Sequence, residues 1–471
     1  MNISDMTLCE LSEALENKKI SSVEATKACL NRIAETERLN NFITLCDGAL
    51  AQAERCDEMR NRGKARGALL GVPVAVKDNI STEGVRTTCA SRFLDNYIPP
   101  FDATVVKKLK DAGAVIVGKT NMDEFAMGST NENSAFGCVR NVRDETRVPG
   151  GSSGGSANCV AAKQVFGALG SDTGGSIRQP ASYCGVVGLK PTYSAVSRYG
   201  LVAFASSLDQ IGTLTKTCAD AFEMLKVIVG RDKLDSTSAD YSIDGALGDG
   251  VKGMTVGVPD EFLSGADDGV AKRLDEAVRY LEKGGAQIKR VSIKAFDAAL
   301  ATYYVISSAE ASSNLARFDG VKYGRRADKY NDISELYRRS RTEFFGAEVK
   351  RRIMLGNYVL SSGYYDAYYL RASKLRTEIK REFDEVLGGC DALISPTAPT
   401  VAPHIGEQSD PSKTYMSDIY TVPVNIAGLP AVSVPFGTSD GMPVGVQLIG
   451  KAFAERTVLS IGKYLEGAEH A

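Results

Sequence analysis

Apolar residues recur at helical spacing near the start of the chain and in short unbroken runs from about residue 70 onward. Thr7-x-x-Glu10 and Ser21-x-x-Glu24 are capping-box patterns, in which a hydroxyl and a carboxyl satisfy each other's free backbone N–H groups. They predict helices over 7–16 and 21–37, and a third helix over 48–62 stops at Arg62-Gly63. The run Gly71-Val-Pro-Val-Ala-Val-Lys77 predicts a short buried strand ending on a lysine. Helix 102–112, strand 114–117, helix 155–163, strand 165–169, helix 177–183 and strand 186–189 follow. The alternation resumes with helix 217–229, strand 254–258, helix 267–284 and strand 286–292. A helical tract rich in Tyr and Arg then runs from about 296 to 387. Strand 391–395, strands 431–435 and 442–449 around a Gly/Pro turn, and a last helix over 453–467 close the pattern.

Strand and helix in alternation predict an α/β fold: a doubly wound or mixed central β-sheet covered by helices on both faces. No convincing linker or internal repeat divides it, so one large domain covers 1–471. Its core spans about 71–220, with an N-terminal helical segment over about 1–65 and a helical insertion over about 296–387. The Asp/Gly-rich stretch 240–252 reads as a surface excursion.

Composition narrows the function. Hydrophobic content of 43% and charged content of 24% are those of an ordinary globular protein, and a net charge of −2 gives no overall reason for direct nucleic-acid binding. The ten cysteines form no Cys-x-x-Cys pair, which fits free thiols in a reducing, cytoplasmic setting. No apolar run reaches the roughly 20 residues of a membrane span, and the start lacks a basic-then-apolar leader. The sharpest constraint is histidine: His404 and His470 are the only two. A multi-histidine metal site is excluded, and a serine nucleophile here needs another base.

Two motif matches fail on context. Gly113-Ala-Val-Ile-Val-Gly118-Lys119-Thr120 has the spacing of a phosphate-binding loop, but strand formers fill the gap where a flexible turn is required. Gly151-Ser-Ser153-Gly-Gly155 has the spacing of a nucleophile elbow, but it lacks the downstream histidine supply and an oxyanion loop of the His-Gly-Gly type.

The candidate chemistry lies in two Gly/Ser clusters within 149–178, separated by a core-like apolar run. Ser152 sits in the first and Ser176 in the second. Their ordinary reading is turn residues and helix caps, with Ser176 capping the helix that starts at Ile177. The alternative is a nucleophile beside the backbone N–H groups of Thr173, Gly174, Gly175 and Ser176, a cluster suited to an oxyanion. Lys77 is either a lysine that snorkels from a strand end or a buried neutral base. Asp78 beside it would oppose the downward shift that burial causes.

Gly150-Gly-Ser-Ser-Gly-Gly-Ser156, then Asp172-Thr-Gly-Gly-Ser-Ile-Arg178, with Lys77 upstream, resemble the signature of the amidase signature family. The flanking stretches Asn121-Met-Asp-Glu-Phe-Ala-Met-Gly-Ser-Thr-Asn-Glu-Asn133, Gly188-Leu-Lys-Pro-Thr192, Ser207-Leu-Asp-Gln-Ile-Gly212, Ser361-Ser-Gly-Tyr-Tyr-Asp-Ala-Tyr-Tyr369 and Tyr415-Met-Ser-Asp418 are similar to its glutaminase subunits of tRNA-dependent amidotransferases. The resemblance departs at Asn141-Val142, where a proline is usual, and at Asn158-Cys159, where small alanines are usual.

The resemblance implies a Ser–cis-Ser–Lys triad: Ser176 as nucleophile, Ser152 in a cis peptide as proton relay, Lys77 as base. Glutamine would be hydrolysed to glutamate and ammonia through a γ-glutamyl ester. Asp418 would bind its ammonium, and Arg352, preferred to Arg351, its carboxylate. Tyr303 or Tyr304 would supply a hydroxyl, and Met127 would line the pocket. Read without the resemblance, an Arg on a long helix is a solvated face and an Asp in a loop is a cap. The family's partners are B and C subunits in a heterotrimer. The B subunit uses ATP and Mg²⁺ and holds most of the tRNA; it amidates glutamyl-tRNA, or aspartyl-tRNA in some members. No cofactor or metal is implied in this chain. The competing expectations are a stand-alone amidase on an aliphatic or aryl amide and a non-catalytic scaffold subunit.

Overall fold

The computed structural model describes residues 2–63, 67–408 and 410–470. Both capping boxes close. Thr7 Oγ1 accepts from Glu10 N (3.1 Å) while the Glu10 carboxylate accepts from Thr7 N (2.8 Å), and Ser21 and Glu24 do the same. They start α1 (Leu8–Glu16) and α2 (Ser22–Glu35). Next come β1 (Phe42–Leu45), α3 (Ala49–Asn61), β2 (Pro73–Lys77), α4 (Thr104–Asp111), β3 (Val115–Thr120), α5 (Gly154–Ala161), β4 (Gly167–Asp172), α6 (Arg178–Cys184), β5 (Val187–Lys190), β6 (Gln210–Thr215) and α7 (Cys218–Ile228). The later elements are β7 (Thr255–Pro259), α8 (Asp268–Lys283), β8 (Gln287–Val291), α9 (Phe296–Asn314), α10 (Ile333–Phe344), α11 (Ala347–Leu360), α12 (Arg371–Gly388) and β9 (Ala392–Pro396). Two short helices, α13 (Pro411–Met416) and α14 (Val422–Ala427), precede β10 (Ala431–Ser439), β11 (Met442–Gly450) and α15 (Glu455–Glu466).

The strands form one sheet in the order β1-β3-β2-β4-β6-β5-β10-β11-β9-β7-β8. β3-β2-β4 and β9-β7-β8 are parallel, and the pairs between and beyond them are antiparallel, so the sheet is mixed.

Four expectations are corrected. The segment 1–65 is not wholly helical, because β1 pairs with β3 at the sheet edge. β6 was not expected: Gln210, Thr213 and Thr215 are polar yet buried, because its neighbours cover them. The strand expected over 165–169 runs instead from Gly167 to Asp172, into the second Gly/Ser cluster. The tract 296–387 is interrupted between 318 and 332, where the chain is non-helical. The stretch 240–252 is irregular as expected, but Ile243, Leu247 and Val251 anchor it to the core.

Side-chain alternation along the central strands sets the two faces apart. Val74 and Val76 join Leu169, Leu189 and Ile211 in a core shared with α1, α7 and α15. Ala75 and Ala168 face the other way, onto Ala157 and Val160 of α5, Ile177 just before α6, and Ala181 of α6. The small residues of this second face let α5 and α6 approach closely. A methyl group on Gly155 would lie 2.5 Å from Asn121 O and 2.6 Å from Asn41 O, contacts no real side chain tolerates. Among the described residues no helix is long and apolar enough to cross a membrane.

Gly155→Ala is expected to lower the unfolding free energy in urea by roughly 1–3 kcal/mol, the usual range for overpacking. Gly250→Ala, with nothing within 4 Å of the new methyl, is expected to change it by less than about 0.5 kcal/mol.

Candidate active site

Lys77 ends β2 on the same face as Ala75 and is fully buried, so it does not snorkel. Its Nζ lies 2.7 Å from Ser152 Oγ, 2.9 Å from Ser171 Oγ and 3.2 Å from Ser171 O. Burial pushes its pKa down to about 7, against the opposing charges of Asp123, Asp172 and Asp209. Asp78 does not supply the expected opposition. Its carboxylate turns to Thr88, accepting from N (2.9 Å) and Oγ1 (2.5 Å), and to Lys119 Nζ at 3.8 Å.

The peptide bond between Gly151 and Ser152 is cis. Gly151 N donates to Gln179 Oε1 (3.0 Å), and Ser152 O accepts from Asp123 N (3.2 Å). Ser153 N donates to Ser176 O (3.1 Å), which ties the first loop to the second.

Ser176 follows β4 in a tight loop, and its hydroxyl makes no hydrogen bond among the described residues. It is not the cap of α6. Asp172 takes that part: its Oδ1 accepts from Gly175 N (2.8 Å) and its Oδ2 from Ile177 N (3.1 Å). Both oxygens also accept from the Arg178 guanidinium at 3.0 Å. Burial pushes the Asp172 carboxyl up, but the Arg178 charge outweighs it and holds the group well below the usual carboxylate range. Arg178 in turn donates to Thr421 O (3.0 Å), Gln447 Oε1 (2.5 Å) and Asn425. One member of the expected oxyanion cluster is therefore engaged: the N–H of Gly175 is held by Asp172, and those of Thr173, Gly174 and Ser176 have no partner among the described residues. Thr421 Oγ1 donates to Gly174 O (2.7 Å) and Thr173 Oγ1 to Asp209 Oδ1 (2.7 Å), which fixes the loop.

Two residues expected to contact substrate flank this loop. A methyl on Gly174 would meet Tyr303 Cζ at 2.7 Å, and one on Gly175 would meet Asp418 Oδ1 at 3.3 Å. Asp418 is buried. Ser129 donates to its Oδ2, while its Oδ1 has no partner among the described residues. Burial pushes its pKa up to about 7.

Arg352 is buried, with its guanidinium 4.4 Å from the ring centre of Tyr304 and 5.0 Å from that of Tyr415. Its Nε donates to Glu348 Oε1 (2.7 Å) and its Nη1 has no partner among the described residues. Arg352 is therefore no solvated face and Asp418 no simple cap. Arg351 is half-exposed and pairs with the other oxygen of Glu348. Tyr303 thus lies at the nucleophile loop and Tyr304 at the arginine. Met127 is buried in the cluster that contains Tyr303. A cavity of about 270 Å³ opens beside these groups, lined by Ser129, Glu348, Arg351, Arg352 and Tyr415 among others.

The sequence reading missed Asp172, Arg178, Ser171, Ser129 and Glu348. Asp172 and Arg178 were visible as opposite charges flanking Thr-Gly-Gly-Ser-Ile. Glu348 was visible four residues before Arg352, one helical turn away.

A family model described as Amidase matches residues 24–459. The chain belongs to the amidase signature family. Among its relatives are the glutamyl-tRNA(Gln) amidotransferase A subunits of Caldanaerobacter subterraneus subsp. tengcongensis and Thermoanaerobacter pseudethanolicus. Each is 54% identical over 477 residues, covering 99% of this chain and 97% of the relative. The crystal structure of the glutamyl-tRNA(Gln) amidotransferase A subunit from Thermotoga maritima is similar at a TM-score of 0.82 and 46% identity, covering 99% of this chain and 95% of that one. The mixed sheet with its flanking helices is thus an amidase-signature domain, and the protein is an amidase-signature enzyme.

In this amidase-signature site the Asp172–Arg178 pair carries the second loop. Asp172→Ala leaves the fully buried Arg178 without an ion-pair partner among the described residues. Urea unfolding is expected to show a loss of roughly 3–5 kcal/mol, as for other broken buried ion pairs.

Proposed function

We propose that this chain is the glutaminase subunit of a tRNA-dependent amidotransferase, and that Ser176, Ser152 and Lys77 are its catalytic triad. The observation that carries the reading is that, of the buried side-chain atoms without a partner among the described residues, Asp418 Oδ1 and Arg352 Nη1 belong to opposite charges at this site. Buried polar atoms are normally satisfied. A carboxyl beside the nucleophile loop, which an incoming ammonium would hold ionised, and a cation at the cavity complement the ammonium and carboxylate of an amino acid whose side chain ends in an amide. An uncharged aliphatic or aryl amide would leave both unsatisfied. The full-length relatives named as glutamyl-tRNA(Gln) amidotransferase A subunits support the same reading.

One contact supports the relay: Lys77 Nζ lies 2.7 Å from Ser152 Oγ. With a pKa of about 7, a substantial fraction of Lys77 is neutral near pH 7 and its amine accepts the Ser152 proton across 2.7 Å. Ser152 takes the proton of Ser176 as Ser176 Oγ attacks the carboxamide carbon. The amides of Thr173, Gly174 and Ser176 receive the oxyanion. The relay returns the proton to the leaving nitrogen, ammonia departs, and a γ-glutamyl ester remains on Ser176. Water, deprotonated by the same relay, hydrolyses the ester to glutamate. Tyr303 and Met127 shape the space over the loop. Ammonia passes to a B subunit that uses ATP and Mg²⁺ to amidate glutamyl-tRNA, with a C subunit completing a cytoplasmic heterotrimer.

In the complex reconstituted with B and C subunits, Ser176→Ala is expected to abolish glutamine-dependent amidation and to spare amidation driven by ammonium salts. Surviving glutamine-dependent turnover would overturn the nucleophile assignment. Lys77→Ala is expected to lower glutamine hydrolysis by roughly 10²–10⁴-fold, the usual worth of a general base. A change of a few-fold would remove Lys77 from the triad.

A further inference from the structure

Glu348 is the one acid paired with either Arg351 or Arg352 among the described residues. Its Oε1 accepts from Arg352 Nε (2.7 Å) and from the Tyr415 hydroxyl (3.0 Å), and its Oε2 accepts from Arg351. Burial pushes the Glu348 carboxyl up, but the Arg352 charge and these hydrogen bonds outweigh it and hold the group below its ordinary range, so it is ionised. The three side chains are one Arg–Glu–Arg unit on a single turn of α11.

Formal charges then decide what the unit can bind. Arg352 and Glu348 alone cancel, and an incoming carboxylate would add one uncompensated negative charge to a site where both side chains are less than 10% exposed. Such a charge is expensive away from water. Arg351 changes the count: with it the unit carries one net positive charge, which a single carboxylate neutralises. Arg351 also lines the cavity, with 47% of its side chain exposed. It does not need to touch the ligand to act.

We propose that Arg351 is a specificity-determining residue. It neutralises Glu348, so that Arg352 keeps a full positive charge for the substrate carboxylate, and the site selects amides bearing one anionic group. This inference rests on the reading of the chain as a glutaminase. Arg351 is a positioning and charge-setting group rather than a catalytic one.

Charge counting makes a prediction that packing does not. Steady-state glutamine hydrolysis is measured on the complex with B and C subunits. Arg351→Met brings the unit to zero net charge and is expected to raise KM for glutamine about tenfold, an energy typical of a charge-assisted contact, with the effect falling on KM rather than kcat. Arg351→Lys restores the charge and is expected to recover most of the loss. Glu348→Gln adds a positive charge but weakens the contact that holds Arg352 in place, and is expected to raise KM by less than Arg351→Met does. The double variant Arg351→Met with Glu348→Gln returns to one net positive charge, and its KM is expected to fall well below that of Arg351→Met alone. If both single variants raise KM and the double variant is worse than either, Arg351 and Glu348 act through packing and the inference is overturned. The Arg351 variants alone keep it testable should Glu348→Gln fail to fold, because no rise in KM with Arg351→Met also overturns it. A wild-type complex that does not hydrolyse glutamine would instead defeat the underlying functional reading.

Discussion

A lysine amine removed from water is the constraint on which the rest of the site depends. β2 carries Lys77 into the interior with no exposure and offers it two serine hydroxyls and a carbonyl rather than a carboxylate. A charged ammonium is penalised there, and nearby carboxylates only partly offset the penalty. The balance lies near neutral pH, which is where a base must titrate to work in a cell. With two histidines in the chain, one of them on the surface near Thr146 and Glu407, no imidazole is available for the task.

The architecture follows from holding that amine next to two serines. Serine loops can reach a strand end only if α5 and α6 lie close to the sheet, and the small side chains and glycines of that face permit it. The second loop then has to be rigid. Asp172 and Arg178 supply the rigidity from within the loop, and Thr421, Asn425 and Gln447 anchor it to elements far along the chain. The groups proposed to contact substrate come from more distant segments. Ser129 donates to Asp418 and shares a cavity with Glu348 and Arg352, and α9 packs against both α11 and α14.

Much of this was legible in the residues alone. The capping boxes are local chemistry, and both helices begin where Thr7 and Ser21 predict. The buried strands with continuous apolar runs were also readable, whereas Lys77, Ser152 and Ser176 were joined as a set only through the family resemblance. What escaped reading was non-local. β6 has only two apolar residues in six, and its burial is decided by neighbours; β1 is a four-residue segment at the sheet edge, too short to stand out between two helices. The interruption at 318–332 lies within a composition that otherwise favours helix. At the site, Ser176 reads equally well as a cap, and only the fold reveals that Asp172 does the capping and thereby occupies the Gly175 N–H. Asp78 is adjacent to Lys77 in sequence but lies in the turn that follows β2, where its carboxylate bonds to Thr88 and lies 3.8 Å from Lys119, so it belongs to a different cluster in space.

The central claim is that burial leaves a substantial fraction of Lys77 neutral at physiological pH, and the direct measurement is a pH titration of its ε-carbon resonance in protein labelled with ¹³C-lysine, assigned by its loss in Lys77→Arg. The account predicts a midpoint near pH 7, with the amine neutral above it and protonated below it. A midpoint near the ordinary lysine value of 10.5 would contradict it.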